Sequence, residues 1–116
     1  MQLNVTVLEL SGIIDGIRGN ELRRQISGIL ANGADILLLD MKQVNFIDSS
    51  GLGALVSATQ MVRNADSKLF VCSISDQVRM LFELTKMNRI FQVFADRDEF
   101  KQKVLPIEQA GRQYKI

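Results

Sequence analysis

The chain has 116 residues, 47% of them hydrophobic, which is enough for one domain with an ordinary apolar core. A single cysteine excludes an internal disulfide, and the absence of histidine excludes Cys/His zinc sites, Ser-His-Asp triads and any histidine general base. Fourteen basic and thirteen acidic residues give a net charge of +1, which argues against a nucleic-acid-binding surface.

Hydrophobic periodicity predicts a strand, a helix and a second strand in the first third of the chain. Apolar and polar residues alternate from Leu3, which is typical of a strand that reaches Ser11 and Gly12, where the chain is predicted to turn. From Asn20 the apolar spacing becomes helical, and Asn32 with Gly33 marks the end of that helix. Residues 36–39 are apolar on both faces, so we expect a central parallel strand with helices on both sides.

The remaining sequence repeats this alternation. A second helix is predicted from the turn at residues 48–51 to about Asn64, and a third strand over residues 68–74. Ser75 is predicted to cap the next helix, and residues 90–94 to form the last strand.

A final helix is predicted to begin at Asp96, with Glu99 completing a capping box, and to end at Pro106. Strict alternation of strands and helices predicts an α/β fold, a small sandwich built on a mostly parallel four-stranded sheet. We expect this domain to span residues 1–106. Residues 107–116 show no periodicity, and we expect a flexible C-terminal tail there.

The turn after the second strand is the most unusual one, because Asp48, two serines and two glycines follow one another closely. In parallel sheets, sites gather at the carboxyl ends of strands, where the next helix presents free N–H groups. The simplest interpretation is a helix N-cap. Neither nucleotide-binding glycine pattern occurs, and no histidine could activate Ser49. We therefore expect no enzymatic activity, no cofactor and no metal.

The helix after this turn has two stripes that lack charge. Its core face is predicted to consist of Leu52, Leu55, Val56 and Thr59. The second stripe consists of Ala54, Ser57, Ala58 and Met61. Small residues allow close approach, so this stripe could either pack against a neighbouring helix or form an exposed docking strip for a partner.

Together these segments resemble the STAS domain of bacterial anti-sigma-factor antagonists. The resemblance rests on Asp-Ser-Ser-Gly-Leu-Gly at residues 48–53, on Ser-Gly-Ile-Ile-Asp at residues 11–15, and on residues 69–72 and 78–82. It covers about residues 5–105. It implies that Ser49, the first serine of the run, is phosphorylated by a partner that is both anti-sigma factor and serine kinase. It further implies that a metal-dependent serine phosphatase removes the phosphate.

The resemblance implies that the unphosphorylated protein binds the kinase and so frees a sigma factor, whereas the phosphorylated protein releases the kinase. It places partner contacts around the serine loop, and the lack of charge on the second stripe leads us to expect further contacts there. These contact residues are Asp15, Asp48, Ser50, Gly51, Leu52, Gly53, Ala54, Ser57, Ala58 and Met61. Asp15 has the alternative role of a plain turn residue.

Two other functions compete with this one. A STAS scaffold or subunit of a transporter-associated or stress-sensing complex would use the same fold without a sigma factor. A flavodoxin-type nucleotide-binding domain or enzyme is disfavoured by the missing phosphate loop. No apolar run approaches the roughly 20 residues that span a bilayer, and the first residues lack a signal-peptide pattern, so we expect a cytoplasmic protein without membrane insertion.

The position of Ser49 also predicts how a phosphate would act. We expect the phosphate to meet free N–H groups of Gly51, Leu52 and Gly53 and the positive end of the helix dipole. Repulsion from Asp48 and Asp15 costs only about a kcal/mol in water. Release should therefore arise at the partner interface, without refolding of the domain.

Overall fold

The computed structural model describes residues 3–105. The elements in chain order are β1 (Val5–Ile14), α1 (Gly16–Ala31), β2 (Ile36–Ile47), α2 (Ser49–Asn64), β3 (Lys68–Cys72), α3 (Asp76–Leu84), a 3₁₀ helix (Met87–Arg89), β4 (Val93–Phe94) and α4 (Arg97–Val104). The strands form one sheet in the order β1-β2-β3-β4, and every neighbouring pair is parallel. The predicted α/β fold is confirmed. The predicted tail at residues 107–116 lies outside the described residues.

The sheet has a separate apolar core on each face. Leu37 and Leu39 of β2 point into the larger core, where they pack with residues of α1, α2 and α3. Leu38 points the other way, into a smaller core that α4 covers with Phe100. Because all three leucines are fully buried, β2 is the central strand that its apolar sequence predicts.

Helix α4 is attached to the sheet by aromatic packing and by an ion pair. The Phe100 ring lies 5.6 Å from that of Phe70 and 5.8 Å from that of Phe94, centroid to centroid. Arg97, the first residue of α4, places Nε 2.7 Å from Oδ2 of the buried Asp40 and Nη2 3.0 Å from Oε1 of Glu9. The pKa of Arg97 is raised by its hydrogen bonds to Asp40 and Glu9. The guanidinium therefore stays charged beside the buried carboxylate of Asp40.

Strands β1 and β2 are longer than their sequences predict. β3 pairs with β2 only as far as Cys72 opposite Asp40, yet β1 and β2 continue together to Ile14 opposite Ile47. Their pairing passes two register shifts, one of them next to Gly12, whose φ of +74° suits glycine. The prediction of a turn at Gly12 was therefore wrong, as was the strand end at residue 39.

Two further boundaries differ from prediction. Helix α1 begins at Gly16 and not at Asn20, because Asp15 caps it. β4 has only two residues, because residues 90–92, the predicted start of the strand, form the connection that follows the 3₁₀ helix. In residues 3–105, none of the helices combines the length and the apolar character that a membrane crossing requires.

Candidate functional site

The ends of β1 and β2 lie side by side, and a single aspartate follows each strand. Asp15 caps α1, with Oδ1 accepting a hydrogen bond from the N–H of Arg18 at 2.9 Å. Asp48 caps α2, with Oδ1 accepting from the N–H of Gly51 at 2.8 Å. The N–H of Asp48 donates to the carbonyl of Ile14 at 3.2 Å, which joins the two caps. Asp15 is thus a helix cap on the rim of the serine loop.

Ser49 and Ser50 are the first two residues of α2, and both are exposed. Asp48 is the N-cap and accepts a hydrogen bond from the N–H of Gly51, so the two serines occupy the first two positions of the first helical turn. The structure thereby brings Asp15, Asp48, Ser49 and Ser50 together at one corner of the sheet.

Gly51 allows this corner to close. A Cβ at this position would lie 2.1 Å from the carbonyl oxygen of Ile14 and 2.9 Å from Cγ2 of Ile47. Such contacts are impossible, so α2 can start against the end of β1 only with glycine here. Gly53 is exposed, and a Cβ there would meet no atom within 4 Å. Packing therefore requires only the first glycine of the Gly-Leu-Gly sequence.

The predicted docking strip on α2 is wrong for Ala54 and Ala58. Both are fully buried, because α2 packs closely against α1. A Cβ on Gly19 of α1 would come within 2.7 Å of the Ala54 Cβ, which explains the small residues. Close helix packing, the other interpretation of the stripe, is correct for these two alanines. Ser57 and Met61, by contrast, are half-buried.

Two other expected contact residues, Gly51 and Leu52, are also buried. They cannot present a side-chain surface to a partner. The exposed stripe of α2 is rotated from the predicted one and consists of Ser49, Gly53, Val56, Gln60 and Arg63. Val56, predicted in the core, is 38% exposed. The sequence signal for the true arrangement was the glycine pair at Gly16 and Gly19, which lie against Ser50 and Ala54 of α2.

A shallow groove of about 650 Å³ runs between α1 and α2 from the serine corner. It is lined by Asp15, Gly16, Ile17, Asn20, Arg23, Ser50, Gly53 and Ser57. Ser50 thus belongs to the groove, whereas Ser49 stands at its edge. Sequence reasoning missed Ile17 because the helix was expected to start only at Asn20. It missed Arg23 because nothing local in the sequence places α1 beside the serines.

A larger concavity of about 730 Å³ lies where β3 and β4 end, next to the first turn of α4. Glu9, Asp40 and Arg97 line it, and Arg97 already forms ion pairs with both carboxylates. Among residues 3–105, no group of three or more metal-ligating side chains is arranged to hold an ion.

Comparison with known proteins gives matches along most of the chain. The family model of the STAS domain matches residues 2–100. The anti-sigma-B factor antagonist of Listeria monocytogenes is 27% identical over 84 residues, which cover 72% of this chain and 74% of that protein. The Bacillus cell fate determinant SpoIIAA in its phosphorylated form superposes with a TM-score of 0.64 at 17% identity, over 85% of this chain and 90% of that one.

The STAS domain of a SulP transporter from Vibrio cholerae superposes with a TM-score of 0.75 at 18% identity. This match covers 93% of the chain and 87% of the transporter domain. At these identities the two solved structures show that the fold is shared.

Proposed function

The chain belongs to the STAS domain family, and from that premise we propose that it is an anti-sigma factor antagonist switched by phosphorylation of Ser49. Unphosphorylated, it binds an anti-sigma factor that is also a serine kinase, and a sigma factor is freed. Phosphorylated, it releases the kinase until a metal-dependent serine phosphatase restores Ser49. We place this exchange in the bacterial cytoplasm, with no role for nucleic-acid binding or catalysis by this chain.

The observation that carries the proposal is the exposed Ser49 directly after the Asp48 cap, at a corner that two helix N-termini share. A kinase needs a hydroxyl that it can reach from solvent, and Ser49, the first residue of α2, is exposed. The name of the Listeria relative supports the antagonist role. The phosphorylated form of SpoIIAA supports the idea that this fold can carry a phosphate.

The hydrogen bonds of the corner limit what a phosphate on Ser49 could contact. The N–H of Gly51 already donates to Asp48 Oδ1, and that of Leu52 to the Asp48 carbonyl at 2.9 Å. The expected phosphate contacts to these two groups are therefore unavailable. The N–H groups of Ser49 and Ser50 have no partner within the helix, and they lie at its positive end. A surface phosphate can be held there without moving the cap.

The mechanism of release then follows from charge. A phosphate adds about −1.5 to −2 charges at neutral pH, and an interface that covers it must desolvate it. Burying an uncompensated charge of this kind costs several kcal/mol, which corresponds to a hundredfold or greater loss of affinity. The domain itself keeps its fold, because the charge stands in water until a partner covers it.

The test is to incubate the protein with its anti-sigma factor kinase and ATP, using wild type, Ser49→Ala and Ser50→Ala. Trypsin cleavage after Lys42 and Arg63 leaves Ser49, Ser50, Ser57 and Thr59 in one peptide, so fragment ions must locate the phosphate. We expect phosphate on Ser49 in wild type and in Ser50→Ala, and none in Ser49→Ala. Modification confined to Ser50 would overturn the assignment.

The alternative function is that of a STAS scaffold or subunit in a transporter-associated or stress-sensing complex. It is favoured by the Vibrio transporter domain, whose coverage of this chain is higher than that of SpoIIAA. The fold therefore does not separate the two functions. A kinase anti-sigma factor that binds wild type and discriminates against Ser49→Asp supports the antagonist, whereas a transporter or scaffold complex that binds both equally supports the alternative.

A further inference from the structure

The groove between α1 and α2 extends the serine corner along both helices. The contacts of α1 set its register on α2, since a Cβ on Gly16 would lie 3.6 Å from the Ser50 Cβ and one on Gly19 would lie 2.7 Å from the Ala54 Cβ. Arg23, one turn beyond Gly19, is therefore level with Ser57. Helical side chains lean toward the N-terminus, so the guanidinium of Arg23 extends back toward the serines.

The position of the guanidinium agrees with this direction. Nη2 of Arg23 donates to Oδ1 of Asn20, one turn closer to Ser50, and all three residues line the groove. Within residues 3–105, Arg23 takes part in none of the ion pairs. Asp15, the acidic residue of the groove, uses its carboxylate to cap α1. Among the described residues, the groove thus holds a cation that forms a hydrogen bond with a neutral amide and no ion pair.

One large apolar side chain, Ile17, lines the groove. Ile17 is 72% exposed, although isoleucine is among the residue types most often buried. It stands one residue after Gly16, beside the serine corner, and Val56 is exposed on the neighbouring face of α2. Together with Arg23, the groove therefore offers a partner an apolar contact beside a charged one.

Resting on the proposed function, we propose that this groove receives a segment of the anti-sigma factor that presents an apolar side chain to Ile17 and a carboxylate to Arg23. Charge complementarity selects this occupant. A carboxylate can accept two hydrogen bonds from one guanidinium, and such a charged pair is stronger than the present bond to the Asn20 amide.

The same contact explains the direction of the switch. Ser50 lines the groove and Ser49 is the residue before it, so a phosphate on Ser49 would stand at the end of the groove that receives the acidic segment. Like charges brought together in an interface repel each other. One groove thereby binds the partner and senses the modification.

The experiment measures the affinity of the purified anti-sigma factor kinase by calorimetry. Arg23→Gln should weaken binding about tenfold, Arg23→Glu about a hundredfold, and Arg23→Lys less than Arg23→Gln. The matched control is Arg24→Gln, because Arg24 is the exposed neighbour that does not line the groove. Binding by wild type should also weaken with added salt more than binding by Arg23→Gln.

A second pair tests the apolar half. Ile17→Ser should weaken binding several-fold, and Leu84→Ser on α3, which is 75% exposed, should leave affinity unchanged. Asn20→Ala separates docking from helix structure, because it removes the bond to Arg23 but keeps the cation. Asn20→Ala should therefore bind at least as well as wild type.

The outcomes distinguish this inference from the function on which it rests. If both Arg23→Gln and Ile17→Ser bind with wild-type affinity, the groove is not the docking site, even if Ser49 is phosphorylated as proposed. An Asn20→Ala variant that binds as weakly as Arg23→Gln also overturns the groove, because Arg23 would then act only within α1. Failure of wild type to bind the kinase, with Ser49 unmodified, overturns the proposed function and the groove together.

Discussion

Gly51 and Gly53 stand two residues apart in α2, yet their surroundings are opposite. A side chain at Gly51 would collide with the backbone of Ile14, which cannot move without disturbing β1. A side chain at Gly53 would point into solvent. Tertiary packing requires glycine at position 51. At position 53, the contacts within the domain also allow residues with a side chain.

This contrast predicts opposite effects on stability. Gly51→Ala should reduce the free energy of unfolding by about 1–3 kcal/mol or more, the usual range for overpacking. Gly53→Ala should raise it by up to about 1 kcal/mol, because alanine favours the helix more than glycine does. Urea denaturation of both variants is the measurement. Equal stability of Gly51→Ala and wild type would contradict the close approach of α2 to β1.

Cys72 lies at the end of β3 with its side chain fully buried. Burial raises the pKa of its thiol above the ordinary value, and the Asp40 carboxylate adds to this effect, while a hydrogen bond with Ser73 opposes it. The native thiol is therefore protonated at neutral pH. Because thiolate is the reactive form, native Cys72 should be inert toward alkylating reagents.

The raised pKa also predicts a pH dependence of stability. The unfolded thiol ionises at its ordinary pKa, so the contribution of Cys72 is fully present below that pH and is lost as pH rises through the folded pKa. Urea denaturation from neutral pH to about pH 10 should show wild type losing stability more steeply than Cys72→Ala, by at most ~1.4 kcal/mol per pH unit. Parallel curves for the two proteins would refute this.

At the scale of one element, α2 performs three tasks on three faces. One face packs Leu52 and Leu55 into the larger of the two cores. A second carries Ala54 and Ala58 against α1, where only small side chains fit. The third carries Ser49 and Val56 to solvent. A 16-residue helix with only one charged side chain, Arg63, is explained by these three contacts.

A pair of arginine substitutions should separate the second face from the third. Ala58→Arg places a charge where 0% of the residue is exposed, so it should destabilise the domain by several kcal/mol or prevent folding. Val56→Arg, at a position 38% exposed, should change stability by no more than about 0.5 kcal/mol.

Thermal denaturation of the two variants, with binding to the anti-sigma factor kinase for the folded one, is the measurement. Val56→Arg should weaken binding, because it replaces an exposed apolar side chain of α2 with a long charged one that a closely fitting partner cannot accommodate. A stable, folded Ala58→Arg would show that α1 and α2 are not packed as described. Unchanged binding of Val56→Arg would remove this residue from the partner surface.

At the scale of the whole molecule, the serine corner lies at one end of an elongated domain. The principal extents are 42 × 27 × 22 Å, and β2 runs from the buried Ile36 to Ile47 beside the corner. The middle of the sheet is fully buried at Leu37, Leu38 and Leu39 and is covered on both faces. A charge added to the exposed Ser49 has no direct contact with this interior.

Phosphorylation of Ser49 should therefore change the structure only locally. Amide chemical shifts in two-dimensional NMR spectra should move for residues 14–18 and 48–53, where the two caps and their helix starts meet. Residues 36–39 and 68–72 should keep their shifts, because they lie in the paired and buried part of the sheet. Changes spreading through those strands would indicate a global rearrangement and contradict release at the interface.

The sequence by itself determined the features that depend on near neighbours in the chain. The caps at Asp48, Ser75 and Asp96 each accept a hydrogen bond from an N–H three residues later, so a few adjacent letters predict them. The end of α2 at Asn64 and the burial of β2 on both faces likewise follow from local periodicity. The order of alternating elements then implied the parallel sheet.

Only the tertiary structure decided the features that depend on residues distant in the chain. β1 and β2 extend beyond their apolar segments because the two strands pair with each other as far as Ile14 and Ile47. Ala58 is buried because α1 lies against it, and an uncharged stripe alone cannot say whether a helix or water covers it. Arg23 and Ser50 line one groove because glycines of α1 set the helix register, although they are 27 residues apart in the chain.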